Sequence, residues 1–270
     1  MLTLVIRHRD SVPIEAECVC PDRLMPMALA DIERLRVWHG NRQTALADHF
    51  DVSGDGRDGC VRVEGDCSRV KSLGYGMLSG SLLVTGDAGM HTGARMAGGE
   101  ITVEGDAGDW IGAEMRGGLI QVRGHAGNLV GAGYRGSFHG MKGGMILVHG
   151  NAGHEIGASL RRGIIAIAGD AGDFLAVNAA AGTILVGGRL GRRPGAGMRR
   201  ATIVALGPTP CLLPTFRNSG RVSPIYLRLL GRYLQTHGFQ PAQLLQTQTF
   251  LRSCGDMVSM GKGEILSLAP

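Results

Sequence analysis

Apolar and polar residues alternate along the middle of the chain, and the alternation returns at a fixed interval. The pairs Val61/Val63, Leu82/Val84, Ile101/Val103, Ile120/Val122, Ile146/Val148, Ile165/Ile167, Ile184/Val186 and Ile203/Ala205 each enclose one residue of the opposite face. A period of two is the signature of a strand with one side buried. The residues between these strands repeat as well. GDAGMHTGARMAGGEITVE (86–104) runs directly into GDAGDWIGAEMRGGLIQVR (105–123). Seven segments align, starting at Gly65, Gly86, Gly105, Gly124, Gly150, Gly169 and Gly188, in steps of 21, 19, 19, 26, 19 and 19 residues. The last, GRLGRRPGAGMRRATIVAL, is degenerate but keeps the register.

Each copy holds a second alternating run, such as Ile111-Gly-Ala113-Glu-Met115, Val130-Gly-Ala132-Gly-Tyr134 or Ile156-Gly-Ala158-Ser-Leu160. A third apolar position follows the opening Gly-Asp pair: Ala88, Ala107, Ala126, Ala152 and Ala171. One copy therefore reads as three short strands joined at glycine-rich corners. A single copy cannot bury its own apolar residues, but a stack of copies can. The predicted fold is all-β: a right-handed parallel β-helix of about eight coils, roughly 38 Å long at about 4.8 Å per coil. Glycine supports this. There are 45 glycines in 270 residues, more than double the usual ~7%. They concentrate at the corners, where a positive φ or close backbone approach is required. Nine-residue calcium rolls and six-residue left-handed helices do not fit a 19-residue period.

The flanks differ in composition and predict three regions: an N-terminal strand/helix cap over 1–58, the repeats over 59–206, and an extension over 207–270. LTLVIRHR (2–9) alternates as a strand, ALADIERLRVW (28–38) as a short helix, and His39-Gly40-Asn41 as a turn. After Leu206, GPTPCLLP is a linker. Ser223-Pro224 reads as an N-cap with proline at the first helical position. The following helix places Ile225, Leu229, Leu230, Tyr233 and Leu234 on one apolar face and stops at Gly238. The N-terminus is apolar for only six residues, too few for a signal peptide. No stretch reaches 18 apolar residues, so no membrane span is expected. Six scattered cysteines, of which only Cys18 and Cys20 are close, read as reduced thiols in the cytoplasm. The net charge of +5 is modest and is not interleaved with aromatics, which argues against nucleic acid.

Little in the chain looks reactive. His125, His149 and His154 lie at corners, but no set has metal-ligand spacing, and no metal site is expected. Asp66, Asp87, Asp106 and Asp170, with Asn151, form a corner ladder that either binds cations or caps backbone N–H groups. The frequent G-x-G-x-x-G-like strings lack the helix that a dinucleotide site needs. No nucleophile motif is present, and no catalytic residue is expected. The twelfth position of successive copies reads Ala97, Arg116, Arg135, Arg161, Ala180 and Arg199. Stacked arginines repel one another, so this stripe contacts a partner's carboxylates, binds an anionic ligand, or is a solvated edge. The long copy adds seven residues in GYRGSFHGMKGG (133–144). Tyr134, Phe138, His139 and Lys142 make that insertion a candidate contact loop.

The tandem G-D/N-A-G-x-x-I-G-A-x-M-x-G-G-x-I-x-V copies resemble the C-terminal β-helix domain of the glutamate synthase large subunit. GNLVGAGYRGSFHGMKGGMILVHGNAGHEIGA (127–158) is more similar to the C subunit of formylmethanofuran dehydrogenase. LLPTFRNSGRVSPIYLRLLGRYL (212–234) resembles that family's bacterial branch, in the formyltransferase/hydrolase complex of methylotrophs. The resemblance implies a non-catalytic β-helix scaffold subunit in a hetero-oligomer. Its partners would be a formyltransferase subunit, a zinc amidohydrolase-like subunit and a third, molybdopterin-enzyme-like subunit. Together they would move formyl groups from a tetrahydromethanopterin carrier to a methanofuran-type carrier and release formate. The zinc and the carrier would sit on the other subunits, with no cofactor held by this chain. The carrier's polyglutamate tail in this family would give the arginine stripe an anionic ligand. A stand-alone β-helix binding or regulatory module is the alternative.

Overall fold

The computed structural model describes residues 1–8 and 11–269. It is mostly β, with a 13-stranded sheet, a second sheet of four strands, and few helices. Eight strands form the parallel centre of the large sheet: Cys60–Glu64, Ser81–Val84, Glu100–Val103, Leu119–Val122, Met145–Val148, Ile164–Ile167, Thr183–Val186 and Thr202–Ala205. Each pairs in register with the next, so Ile101, Ile120, Ile146, Ile165, Ile184 and Ile203 form one column. These strands carry the predicted apolar pairs, which are buried.

Two further lines of contact join the same copies. Isolated parallel bridges run from Cys67 through Ala88, Ala107, Ala126, Ala152 and Ala171 to Leu190. Elsewhere in each copy, Gly112 N–H donates to Thr92 O at 2.9 Å, and Gly131 N–H to Ile111 O at 2.8 Å. This last segment is not the strand its alternation suggests. Trp110, Gly112 and Glu114 have φ of 59°, 62° and 53°, so it is a turn. Alternate residues in the left-handed region still send side chains to opposite sides, and Ile111, Ala113 and Met115 are buried. Period two alone does not separate that conformation from a strand. A side chain at position 112 would be strained by φ and would push on the tip of Ile146, Cδ1, at 2.5 Å, so glycine fits most easily, although Ala176 takes the equivalent place at φ 59°.

Both ends of the sheet are extended. Leu2–Ile6 lies parallel to Cys60–Glu64 and antiparallel to Phe50–Gly54. The expected strand over 2–9 thus ends at Ile6, and Arg9 lies outside the described residues. The helix expected over 28–38 is only Leu29–Glu33, because Arg36–His39 pairs instead with Arg42–Ala45 across the Gly40-Asn41 turn. At the other end, Gly263–Leu268 adds parallel to Thr202–Ala205. Phe250–Gly255 and Arg217–Val222 follow antiparallel.

The C-terminal helix Ile225–Thr236 packs on the outer side of the last strands. Leu227, Leu234, Phe239 and Phe250 meet Met145, Leu147, Ala166, Leu185 and Val204 in a second core. The outward position of successive strands is Arg62, Leu83, Thr102 and Gln121, then Leu147, Ala166, Leu185 and Val204. It becomes uniformly apolar where the helix covers it. The buried helix face is therefore Leu227, Gly231 and Leu234, while Ile225, Leu229 and Tyr233, expected inward, are exposed. Ser223 does not cap the helix. Pro224 holds the N-cap position, and Ser223 Oγ accepts from Arg228 at 3.4 Å.

Candidate contact face

The corner ladder caps backbone. Asp106 N–H donates to Asp87 Oδ1 at 2.8 Å, and His125 N–H to Asp106 Oδ1 at 2.7 Å. Asn151 N–H then donates to His125 Nδ1, Asp170 N–H to Asn151 Oδ1, and Arg189 N–H to Asp170 Oδ1. Each copy thus satisfies an N–H of the next. A second ladder, which sequence reading missed, runs beside it through Asp109, Asn128, His154, Asp173 and Arg192. Its signal was the fifth position of each copy, which repeats Asp, Asn, His and Asp three residues after the first ladder. His125 and His154 accept through Nδ1 and serve as turn acceptors. Among the described residues no three His, Cys, Asp or Glu side chains come together in a way that could hold a metal ion.

The cation column differs from the expected stripe by one residue. The insertion restores register late, so Lys142, not Arg135, stands between Arg116 and Arg161. Arg116 N–H bonds Met96 O, Lys142 N–H bonds Met115 O, and Arg161 N–H bonds Met141 O. Ala180 and Arg199 continue the series through Leu160 O and Ala179 O. Arg116, Lys142, Arg161, Arg162, Arg199 and Arg200 are all exposed. Where Ala180 and Ala181 interrupt the column, a cavity of about 420 Å³ opens among Lys142, Arg161, Arg162 and Arg200. Arg135 lies apart, at a cavity of about 490 Å³ that also holds Trp110, His154 and Phe174.

The insertion loop is tied down at both ends. Tyr134 is half-buried, not presented. Its hydroxyl lies 3.1 Å from His91 Nδ1, and its ring stands near Trp110 and under the Arg95 guanidinium. Arg95 also pairs with Glu114 at 3.0 Å. Burial pushes the Tyr134 hydroxyl up to about 12. Burial, and then the charge of Lys71, hold His91 below its usual value. On the far side, Arg161 Nη1 donates to His139 Nδ1 at 2.9 Å. Between these anchors Phe138 is 87% exposed. A groove of about 490 Å³ is lined by Phe138, His139, Arg161 and Arg199. The structure therefore brings together Arg116, Lys142, Arg161, Arg199, Phe138 and His139. It leaves Arg135 elsewhere and uses Tyr134 as an anchor. No helix among the described residues is long and apolar enough to cross a membrane.

No family model matches the chain. Over 91 residues it is 42% identical to the C subunit of the molybdenum-containing formylmethanofuran dehydrogenase 1 of Methanothermobacter marburgensis, covering 33% of this chain and 23% of that protein. Over 97 residues it is 39% identical to the C subunit of the tungsten-containing formylmethanofuran dehydrogenase 2 of Methanothermobacter thermautotrophicus, covering 34% and 36%. The matches thus span about a quarter to a third of these curated relatives. One chain of the crystal structure of the formyltransferase/hydrolase complex from Methylorubrum extorquens, in complex with methylofuran, matches over 99% of this chain and 100% of its own length. Its TM-score is 0.93 and its identity 36%.

Proposed function

We propose a function from one premise: this chain belongs to the family of formylmethanofuran dehydrogenase C subunits. It is the scaffold subunit of a formyltransferase/hydrolase complex in one-carbon metabolism linked to tetrahydromethanopterin and methanofuran. It carries out no chemistry itself and holds a formyltransferase subunit, a zinc amidohydrolase-like subunit and a third, molybdopterin-enzyme-like subunit in fixed positions. The observation that carries this reading is the full-length match to one chain of such a complex.

The repeats suit that role. The parallel strand ladder, the alanine bridges and the turn hydrogen bonds support a right-handed parallel β-helix of about eight coils, capped by 1–58 and extended by 207–270. Every coil is hydrogen-bonded to its neighbours, which makes a stiff body. In this reading zinc and the methanofuran-type carrier sit on the other subunits. Arg116, Lys142, Arg161, Arg199, Phe138 and His139 are the contact face, with Tyr134 behind it.

The test is purification of the tagged chain from its own host at native mass. Co-elution with a hydrolase and a formyltransferase subunit in fixed ratio supports the scaffold. Elution as a well-behaved monomer rejects it and favours a stand-alone module.

A further inference from the structure

We infer that the face carrying Phe138 and the cation column docks an acidic surface of a partner subunit, with Phe138 seated in an apolar pocket of that partner. This rests on the scaffold reading and adds the chemistry of the contact.

Some arginines elsewhere in the fold are paired: Arg7 with Asp51, Arg95 with Glu114, Arg192 with Asp173, and Arg252 with Glu264. In the column, Arg116, Lys142, Arg161, Arg162, Arg199 and Arg200 form no ion pair with any described carboxylate. Stacking one copy apart sets the backbones that carry these like charges about 4.8 Å apart. The charges repel, and counter-charge from outside relieves the repulsion. Between Arg116 and Arg199 lie four copy steps, about 19 Å at that spacing. A small anion spans two of these cations at most, whereas an acidic protein surface spans them all.

Phe138 argues the same way. It is 87% exposed, yet its loop is fixed by Tyr134–His91 on one side and Arg161–His139 on the other. A Ser137 N–H to Tyr134 O bond of 2.8 Å tightens the turn. A fixed aromatic loses little entropy on docking. An apolar anchor beside arginines is the composition of an interface centre. The groove and the Ala180/Ala181 cavity give carboxylates room to enter between Arg161, Arg162, Arg199 and Arg200.

The test uses the intact complex, carrying wild-type chain, Phe138→Ala, or Arg161→Glu with Arg199→Glu. The chain's release from the complex is followed by native mass spectrometry across a salt series. Melting of each isolated variant checks its fold, and Arg199→Glu alone, at an exposed site, serves if the pair misfolds. For wild type, raising salt from 0.1 to 0.5 M should weaken retention about tenfold or more. Phe138→Ala should weaken it about 30-fold. The charge reversals should weaken it at least as much and flatten the salt dependence. If wild type never holds its partners, the scaffold reading falls, and this inference with it. If wild type holds them but the variants match its retention and salt slope, the docking face alone is overturned. Citrate binding at the column, abolished by the reversals while assembly stays intact, also overturns it in favour of a small-ligand site.

Discussion

Gly127→Ala tests the close approach of neighbouring copies. A methyl at Gly127 would strike Asp109 Oδ1 and lie 2.9 Å from both Asp109 N and Gly108 C. The backbone atoms cannot yield without separating two copies. The carboxylate can swing away, but it then leaves Asn128 N–H, which it accepts at 2.7 Å. Losing that bond at a part-exposed site costs about 1 kcal/mol. Crowding the backbone costs about 1–3 kcal/mol. The stiffer unfolded chain offsets about 0.4–1 kcal/mol. The net is a destabilisation of about 2 kcal/mol, or roughly 5 °C in Tm. Asp109→Ala loses only the hydrogen bond, about 1 kcal/mol. The double variant should cost about 1 kcal/mol less than the sum, because the carboxylate can be lost only once. Urea unfolding of the four proteins measures the cycle. Additive costs, or a Gly127→Ala variant as stable as wild type, would refute the steric argument.

Three further outcomes are expected. His91 is held below its unfolded value of 6.5 by burial, so its contribution is complete above pH 6.5 and is lost as pH falls through the lower folded value. Urea unfolding should therefore show stability dropping from pH 7.5 to 5, and His91→Asn should flatten that slope. Leu234→Ala empties a fully buried position beneath the C-terminal helix and should cost about 3 kcal/mol. Limited proteolysis should then cut within 207–269 before the repeats. Burial pushes the Cys67 thiol up to about 12 and Cys18 to about 11, while Cys211 is exposed. A thiol reagent at neutral pH should label Cys211 quickly and reach Cys67 only on unfolding.

What the sequence made legible was whatever recurs. The apolar pairs from Val61/Val63 to Ile203/Ala205 fall on the strands read from them, because each pair sees the same neighbours one copy away. The Asp87–Asp106 ladder followed from the same logic. The misses lie where repetition breaks or where two conformations share a period. Ile111–Met115 alternates like a strand but is built from left-handed residues. Arg135 fell out of the column because the seven added residues all precede Lys142, and counting from Gly124 cannot reveal that. The face of Ile225–Thr236 was misread because its contacts lie on strands about 20–90 residues earlier. The clue was there, in the change from Gln121 to Leu147, Ala166, Leu185 and Val204 at the outward strand position.

The first ladder also explains how the stack knows where to end. From Asp106 to Asp170 every rung both offers an acceptor upward and receives one from below. Arg189 receives from Asp170 but has no acceptor to offer. The residue one copy above it is Pro208, placed there by the Leu190 N–H to Pro208 O bond, and proline has no N–H to be satisfied. Supply and demand vanish at the same level. A duplicated 19-residue unit could therefore be spliced in below Gly188 without orphaning a rung. Appended above it, the same unit would meet an arginine where its first N–H needs an oxygen. Arg189 and Pro208 thus close this ladder, and inserting a copy without an orphaned rung is an operation on its interior.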